Sequence, residues 1–123
     1  MKPLFHPAAE DLTVQGILHA LSDPVRVHIF AKIVDAMCAQ ICSAFAEVEG
    51  SAIPKSTLSQ HFKVLREAGL IHSERKGVEM HNVARCAEVD ARFPGLVGTI
   101  VDAYKTQRDR ERRAARRRLA KAA

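Results

Sequence analysis

Ser56, Ser59, Gln60 and Lys63 fall on one side of a stretch, Ile53 to Leu70, that reads as a helix. Two small hydroxyls, an amide and a cation make an unusual surface. Small polar groups let a helix backbone approach a partner closely. An amide can pair with both hydrogen-bonding groups of an adenine edge, and a lysine can sit on a phosphate. The opposite side carries Leu58, Phe62 and Leu65 at i, i+4 and i+7, one apolar stripe for a core. Gly69 follows as a helix stop able to take positive φ. An ordinary amphipathic surface helix has the same pattern, so the helix alone leaves both readings open.

The next residues favour nucleic acid. Leu70 to Arg75 forms a short strand, Lys76-Gly77-Val78 a turn, and Glu79 to Ala84 a returning strand. A helix followed directly by a small hairpin, with Arg75, Lys76 and Arg85 about its tip and base, is the layout of a winged helix-turn-helix. The expected fold is mainly α with a small β-hairpin wing. The expected DNA-facing set is Lys55, Ser56, Thr57, Ser59, Gln60, His61 and Lys63 from the helix, with Arg75 and Lys76 from the hairpin. Lys55, Ser56 and Gln60 would approach base edges. Lys63, Arg75 and Lys76 would hold phosphates. His61 lies at the flank of the core stripe, where it packs or touches a phosphate.

The run Lys55-Ser56-Thr57-Leu58-Ser59-Gln60-His61-Phe62-Lys63-Val64-Leu65-Arg66-Glu67-Ala68-Gly69-Leu70-Ile71 resembles the recognition helix of ArsR/SmtB-type bacterial repressors. His19-Ala20-Leu21-Ser22-Asp23-Pro24-Val25-Arg26 resembles the junction that opens their second helix. Two motifs in the right order carry more weight than either alone. The similarity covers Asp11 to Tyr104, and the spacing from Arg26 to Ser56 is a few residues longer than in the family. The resemblance implies a homodimeric winged-helix repressor of a double-stranded DNA operator, tuned by a small effector.

Family members often sense metals, through a Cys-Val-Cys-type motif or through Asp, His and Glu on the last helix. Neither pattern is complete here: no histidine follows Phe93, and Tyr104 stands two residues after Asp102. No metal site of those types is expected. Cys38 and Cys42 are spaced one helical turn apart, with Cys86 distant in sequence. Soft thiolates suit As(III), Cu(I) or Zn, so these three are the candidate thiol sensor for a thiophilic metal, a metalloid or an oxidant. The plainer reading makes them small buried hydrophobes. His6, His19, His28, His61, His72 and His81 show no zinc-module spacing. No nucleophile motif, phosphate loop or carboxylate pair suggests an enzyme. The rival from another class is a dimeric protein-interaction module without DNA binding.

The elements around the reading helix follow from punctuation and periodicity. The 123 residues predict one domain. A first helix occupies part of Ala8 to Leu21; in the family it packs on the partner subunit, and packing on its own core is the equal alternative. Ser22-Asp23-Pro24 is a helix start, leading into Val25, Ile29, Ile33 and Met37 as the core stripe of a second helix. Within residues 38–54 the first half can be helix and must hold the first helix of the helix-turn-helix. Cys86 to Arg92 reads as a connector, and Phe93-Pro94-Gly95 as a break. A last helix then carries Leu96, Val97, Ile100, Val101 and Tyr104 on an apolar face. That face either docks on its own domain or meets a partner's matching helix, as in the family. The small core leaves little to absorb it, so a homodimer seam along it is the favoured expectation.

Charge is unevenly placed. Residues 105–123 hold nine Lys/Arg and two Asp/Glu, a net of +7, which leaves −2 for residues 1–104 of the total +5. The division is thus a domain at 1–104 and a basic tail at 105–123, the tail being a weak helical extension or disordered, and a solvated tail or an arm on DNA. No apolar run reaches membrane-spanning length. An odd three cysteines without an export signal point to reduced thiols and a cytoplasmic location.

Overall fold

The computed structural model describes residues 3–36, 40–45, 47–48 and 51–122. A 3-10 turn at Ala9–Asp11 leads to α1 (Val14–Leu21), opened by Thr13, whose Oγ1 accepts from the Gly16 N–H at 3.0 Å. Helix α2 (Pro24–Asp35) starts at the Asp23 cap, whose Oδ1 accepts from the Val25 and Arg26 N–H groups at 2.8 and 3.1 Å. Cap and proline locate this start because they satisfy, or remove, amides that no helical carbonyl can reach. Val27, Ile29, Phe30, Ala31 and Ile33 are all buried, more than one stripe, so α2 is the central element of the core. Met37 lies outside the described residues.

The segment between α2 and the reading helix corrects the expectation of helix there. Gln40–Ile41 is a strand, β1, followed by a 3-10 turn at Cys42–Phe45 and an antiparallel pair of two-residue strands, β2 (Glu47–Val48) and β3 (Ser51–Ala52). Among the described residues of this segment the helical part is therefore a single 3-10 turn. Pairing explains this: β1 bonds along β5 (Glu79–Ala84), and Phe45 and Val48 turn into the core.

Helix α3 (Lys55–Glu67) follows Pro54 and buries Leu58, Phe62 and Leu65. It ends in a two-bond cap in which the Gly69 N–H donates to Arg66 O at 3.0 Å and the Leu70 N–H to Leu65 O at 3.1 Å. This closure needs a left-handed residue, and Gly69 has φ +82°. A Cβ at Gly69 would also run into the Leu12 side chain. Strand β4 (Ile71–Lys76) pairs antiparallel with β5 from Ile71↔Ala84 to Lys76↔Glu79, turning over Gly77 (φ +65°) and Val78. The sheet order is β1-β5-β4. Ser73 and Asn82, a facing pair, are buried, and the Ser73 hydroxyl donates to Asn82 Oδ1 at 2.7 Å, satisfying both inside the sheet.

The expected connector is a short helix, α4 (Cys86–Arg92), anchored by buried Val89. After the break at residues 93–95, α5 (Leu96–Ala122) runs without interruption past Tyr104. Val97 and Val101 are buried in the protomer's own core, which corrects their placement in a dimer seam. Packing against α2 and α4 takes that line of α5, and leaves Leu96, Ile100 and Tyr104 half-buried at its margin. Tyr104 Oη and His28 Nδ1 lie 3.2 Å apart, giving that histidine a structural partner.

Candidate nucleic-acid interface

Helix α3 is held by its apolar side and bare on the other. Phe62 is 1% exposed and packs tilted on Phe45, ring centroids 5.8 Å apart. Lys55, Ser56, Thr57, Ser59, Gln60 and Lys63 are exposed. Thirteen residues give α3 a length of about 20 Å, enough to lie along a groove. Lys63 reaches Glu67 only at 3.9 Å with both side chains largely in solvent, a pair of little worth that leaves the lysine available to a phosphate. Arg75 and Lys76 are exposed where the wing turns.

His61 is only partly exposed, at the flank of the stripe, and its Nδ1 lies 3.4 Å from Arg26 Nη1. Arginine can only donate, so in this contact Nδ1 is the acceptor. Arg26 also donates through Nε to Ala20 O at 2.7 Å and through Nη2 to His19 O at 3.2 Å. One guanidinium thus closes the end of α1, lies at the start of α2 and reaches α3. The junction motif contains Arg26, but its partners cannot be read from spacing.

A second fastening is also absent from any sequence pattern. The segment from Pro3 to Pro7, without regular secondary structure, lies against the end of α3 and the edge strand β4. There the Ser73 N–H donates to His6 Nε2 at 3.0 Å, and the His6 and His72 rings stack at 4.2 Å. Arg85 Nη1 donates to Pro7 O at 2.9 Å, and Arg85 Nη2 pairs with Glu88. Arg85 therefore fastens this strap instead of facing outward at the base of the wing. Burial, then the neighbouring His72, Arg66 and Arg85, hold the His6 pKa below its ordinary value. A lowered folded-state pKa means that the folded chain binds fewer protons than the unfolded one. The strap's contribution is complete above the unfolded value, about pH 6.5, and is lost as pH falls through the folded one. The urea midpoint of the wild type should drop on acidification from about pH 7.5 to about pH 5, while that of His6→Ala, already lower, drops less. A gap between the two that stays constant across this range would clear His6 of the effect.

The helix expected to carry Cys38 and Cys42 is not found among the described residues. Cys38 lies outside the described residues, Cys42 begins the 3-10 turn, and the extended Gln40–Ile41 stands between them. Cys86 opens α4, where burial and then the Asp90 carboxylate push its thiol pKa up, away from the thiolate that metals and oxidants require. Among the described residues no group of three or more His, Cys, Asp or Glu could hold a metal ion. No helix among them is long and apolar enough to cross a membrane.

Comparison with known proteins agrees with this geometry. A helix-turn-helix domain family matches residues 21–74. The HTH-type transcriptional repressor SmtB of Mycobacterium tuberculosis is 35% identical over 75 residues, 60% of this chain and 53% of that protein. The chain thus spans about half the length of the curated relatives it matches. An ArsR-like transcriptional regulator from Rhodococcus sp. RHA1 superposes with a TM-score of 0.52 at 24% identity, over 86% of this chain and 91% of that one. The M. tuberculosis protein Rv0081 does so with a TM-score of 0.54 at 20% identity, over 76% and 90%. The chain thus has the winged helix-turn-helix fold of the ArsR-like solved structures and is similar over part of its length to an SmtB-type repressor.

Proposed function

We propose that the chain is a sequence-specific DNA-binding transcriptional regulator, acting as a homodimeric repressor on an operator with two half-sites. One observation carries the reading. The side of α3 opposite Leu58, Phe62 and Leu65 is an uninterrupted exposed surface of hydroxyl, amide and lysine groups, and the wing beside it ends in Arg75 and Lys76. The relative's name, a transcriptional repressor, supports the direction of regulation. Exposed Val14 and Leu18 on α1, with half-buried Leu96, Ile100 and Tyr104 on α5, support pairing of two copies. Effector control through Cys38, Cys42 or Cys86 is not part of this proposal: Gln40–Ile41 is strand where a helix would pair the first two, and the Cys86 thiol is shifted away from the thiolate.

The test is binding of the chain to duplex DNA from upstream of its own coding sequence, and to random duplex, at two salt concentrations. Gln60→Ala should cost about 1–3 kcal/mol on the preferred duplex and relax its sequence preference. Lys63→Ala should weaken both duplexes alike and reduce the salt slope by about 1. If Gln60→Ala changes neither preference nor affinity, this side of α3 is not the reader. A wild type without salt-dependent DNA affinity would instead support the protein-interaction module.

A further inference from the structure

We propose that α5 beyond Lys105 is a second nucleic-acid surface, a basic helical arm that lies along DNA phosphates beside the segment read by α3. The proposal extends the DNA-binding reading of α3 and rests on it for the placement of the DNA.

The packed part of α5 finishes early. Its last apolar contact with the domain is Tyr104, capped by Arg108 with its guanidinium 5.9 Å from the ring centroid, and Lys105 is tied to Asp35 of α2. From Arg116 onward every described residue is exposed, Leu119 among them. At about 1.5 Å per residue, the ten residues from Arg112 to Lys121 project about 15 Å. No apolar stripe gives this projection anything to dock with.

Its charge is one-sided. Asp109 and Glu111 are the last acids, and Arg112, Arg113, Arg116, Arg117, Arg118 and Lys121 follow without another. Arg112 and Arg116, Arg113 and Arg117, and Arg117 and Lys121 are neighbours at i, i+4, a spacing at which like charges destabilise an isolated helix. Ala114, Ala115 and Ala120 favour helix intrinsically, so composition keeps the form while the charges work against it. A polyanion would turn that repulsion into attraction. Arginine is also suited to it, because the planar guanidinium can engage two oxygens of one phosphate.

Position selects DNA as the polyanion. Gln107, Arg108 and Glu111 of α5 line a cleft of about 760 Å³ together with Val48 and Ser51. Ser51 is three residues before Pro54, which opens α3. The arm therefore leaves the domain on the side of the β2–β3 pair, which leads into the N-terminal end of α3, the end that approaches base edges in helix-turn-helix complexes. An anionic membrane is the lesser candidate, since Leu119 is the only large apolar side chain the arm could bury.

The experiment uses the full chain and a variant with Arg112, Arg113, Arg116 and Arg117 changed to glutamine, which keeps helix propensity. Fluorescence anisotropy would follow binding to the upstream duplex and to a random duplex of equal length across a salt series. The quadruple variant should flatten the slope of log affinity against log salt by about 2–4 on both duplexes, near 0.9 for each phosphate released, with its sequence preference kept. The same four positions changed to lysine should restore most of the slope. An unchanged slope, with circular dichroism showing the helix intact, overturns the arm. So does a wild type that binds phosphatidylserine vesicles through these arginines while its DNA slope ignores them. Gln60→Ala separates the two ideas: it should lose preference and keep the slope. A wild type with an arginine-dependent slope but no sequence preference would sink the α3 reading and leave the arm standing.

Discussion

Replacing Phe62 with alanine is expected to cost about 3–5 kcal/mol of folding stability. The ring is 1% exposed, midway along the buried side of α3 between Leu58 and Leu65, and it rests on Phe45. Alanine would remove the ring's transfer free energy and leave a cavity that α2 and α3, both committed to other contacts, cannot close. A small domain holds only about 5–15 kcal/mol in total, so the variant should sit near its unfolding transition at ambient temperature. The consequence reaches function, because the three buried side chains of α3 are what hold its polar side outward. Urea denaturation should show the midpoint falling steeply in Phe62→Ala and less in Phe62→Leu, which refills part of the volume. A loss in Phe62→Ala below about 1 kcal/mol would mean that α3 is not docked through this ring.

Where the determinants are local, they were legible in the residues. The stripe Leu58, Phe62 and Leu65 and the stop at Gly69 lie within one element and its cap, so α3 was readable to within two or three residues. Ser22-Asp23-Pro24 announced α2 for the same reason, and Gly77 announced the wing turn. Residues 38–54 were not legible. Their form depends on Gln40 and Ile41 finding Asn82 and His81, which come after α3 in the chain, and helix-permitting residues yield to that pairing. Helix α4 was missed because seven residues with one buried side chain, Val89, show no periodicity. His6 and Arg26 were seen as residues without their roles, since each acts on partners from distant elements. The α5 stripe illustrates a different limit. Periodicity identified an apolar side, but only packing shows that Val97 and Val101 belong inside the protomer while Leu96, Ile100 and Tyr104 stay at its margin.

That margin carries the other large expected effect. If two copies pair through α1 and α5, a charge placed in the seam should separate them and weaken operator binding by about 10²–10⁴-fold. The loss is large because the second recognition helix of a dimer binds as an intramolecular event, and a monomer forfeits it even when its own α3 is intact. Leu18→Glu is the cleaner variant: Leu18 is 50% exposed in the protomer, so a carboxylate there is solvated in the monomer and costs folding little. Ile100→Glu attacks the same seam from α5, at some cost to the core that its half-buried side chain touches. Sedimentation should give a dimer for the wild type at micromolar concentration and monomers for both variants. The thermal midpoint of Leu18→Glu, read with its dimer dissociation, separates loss of pairing from loss of fold. Binding to a duplex carrying a single half-site should be similar in wild type and Leu18→Glu, since only one α3 can engage. A wild type that sediments as a monomer, or a Leu18→Glu variant that stays dimeric and binds the operator unchanged, would remove α1 and α5 as the seam.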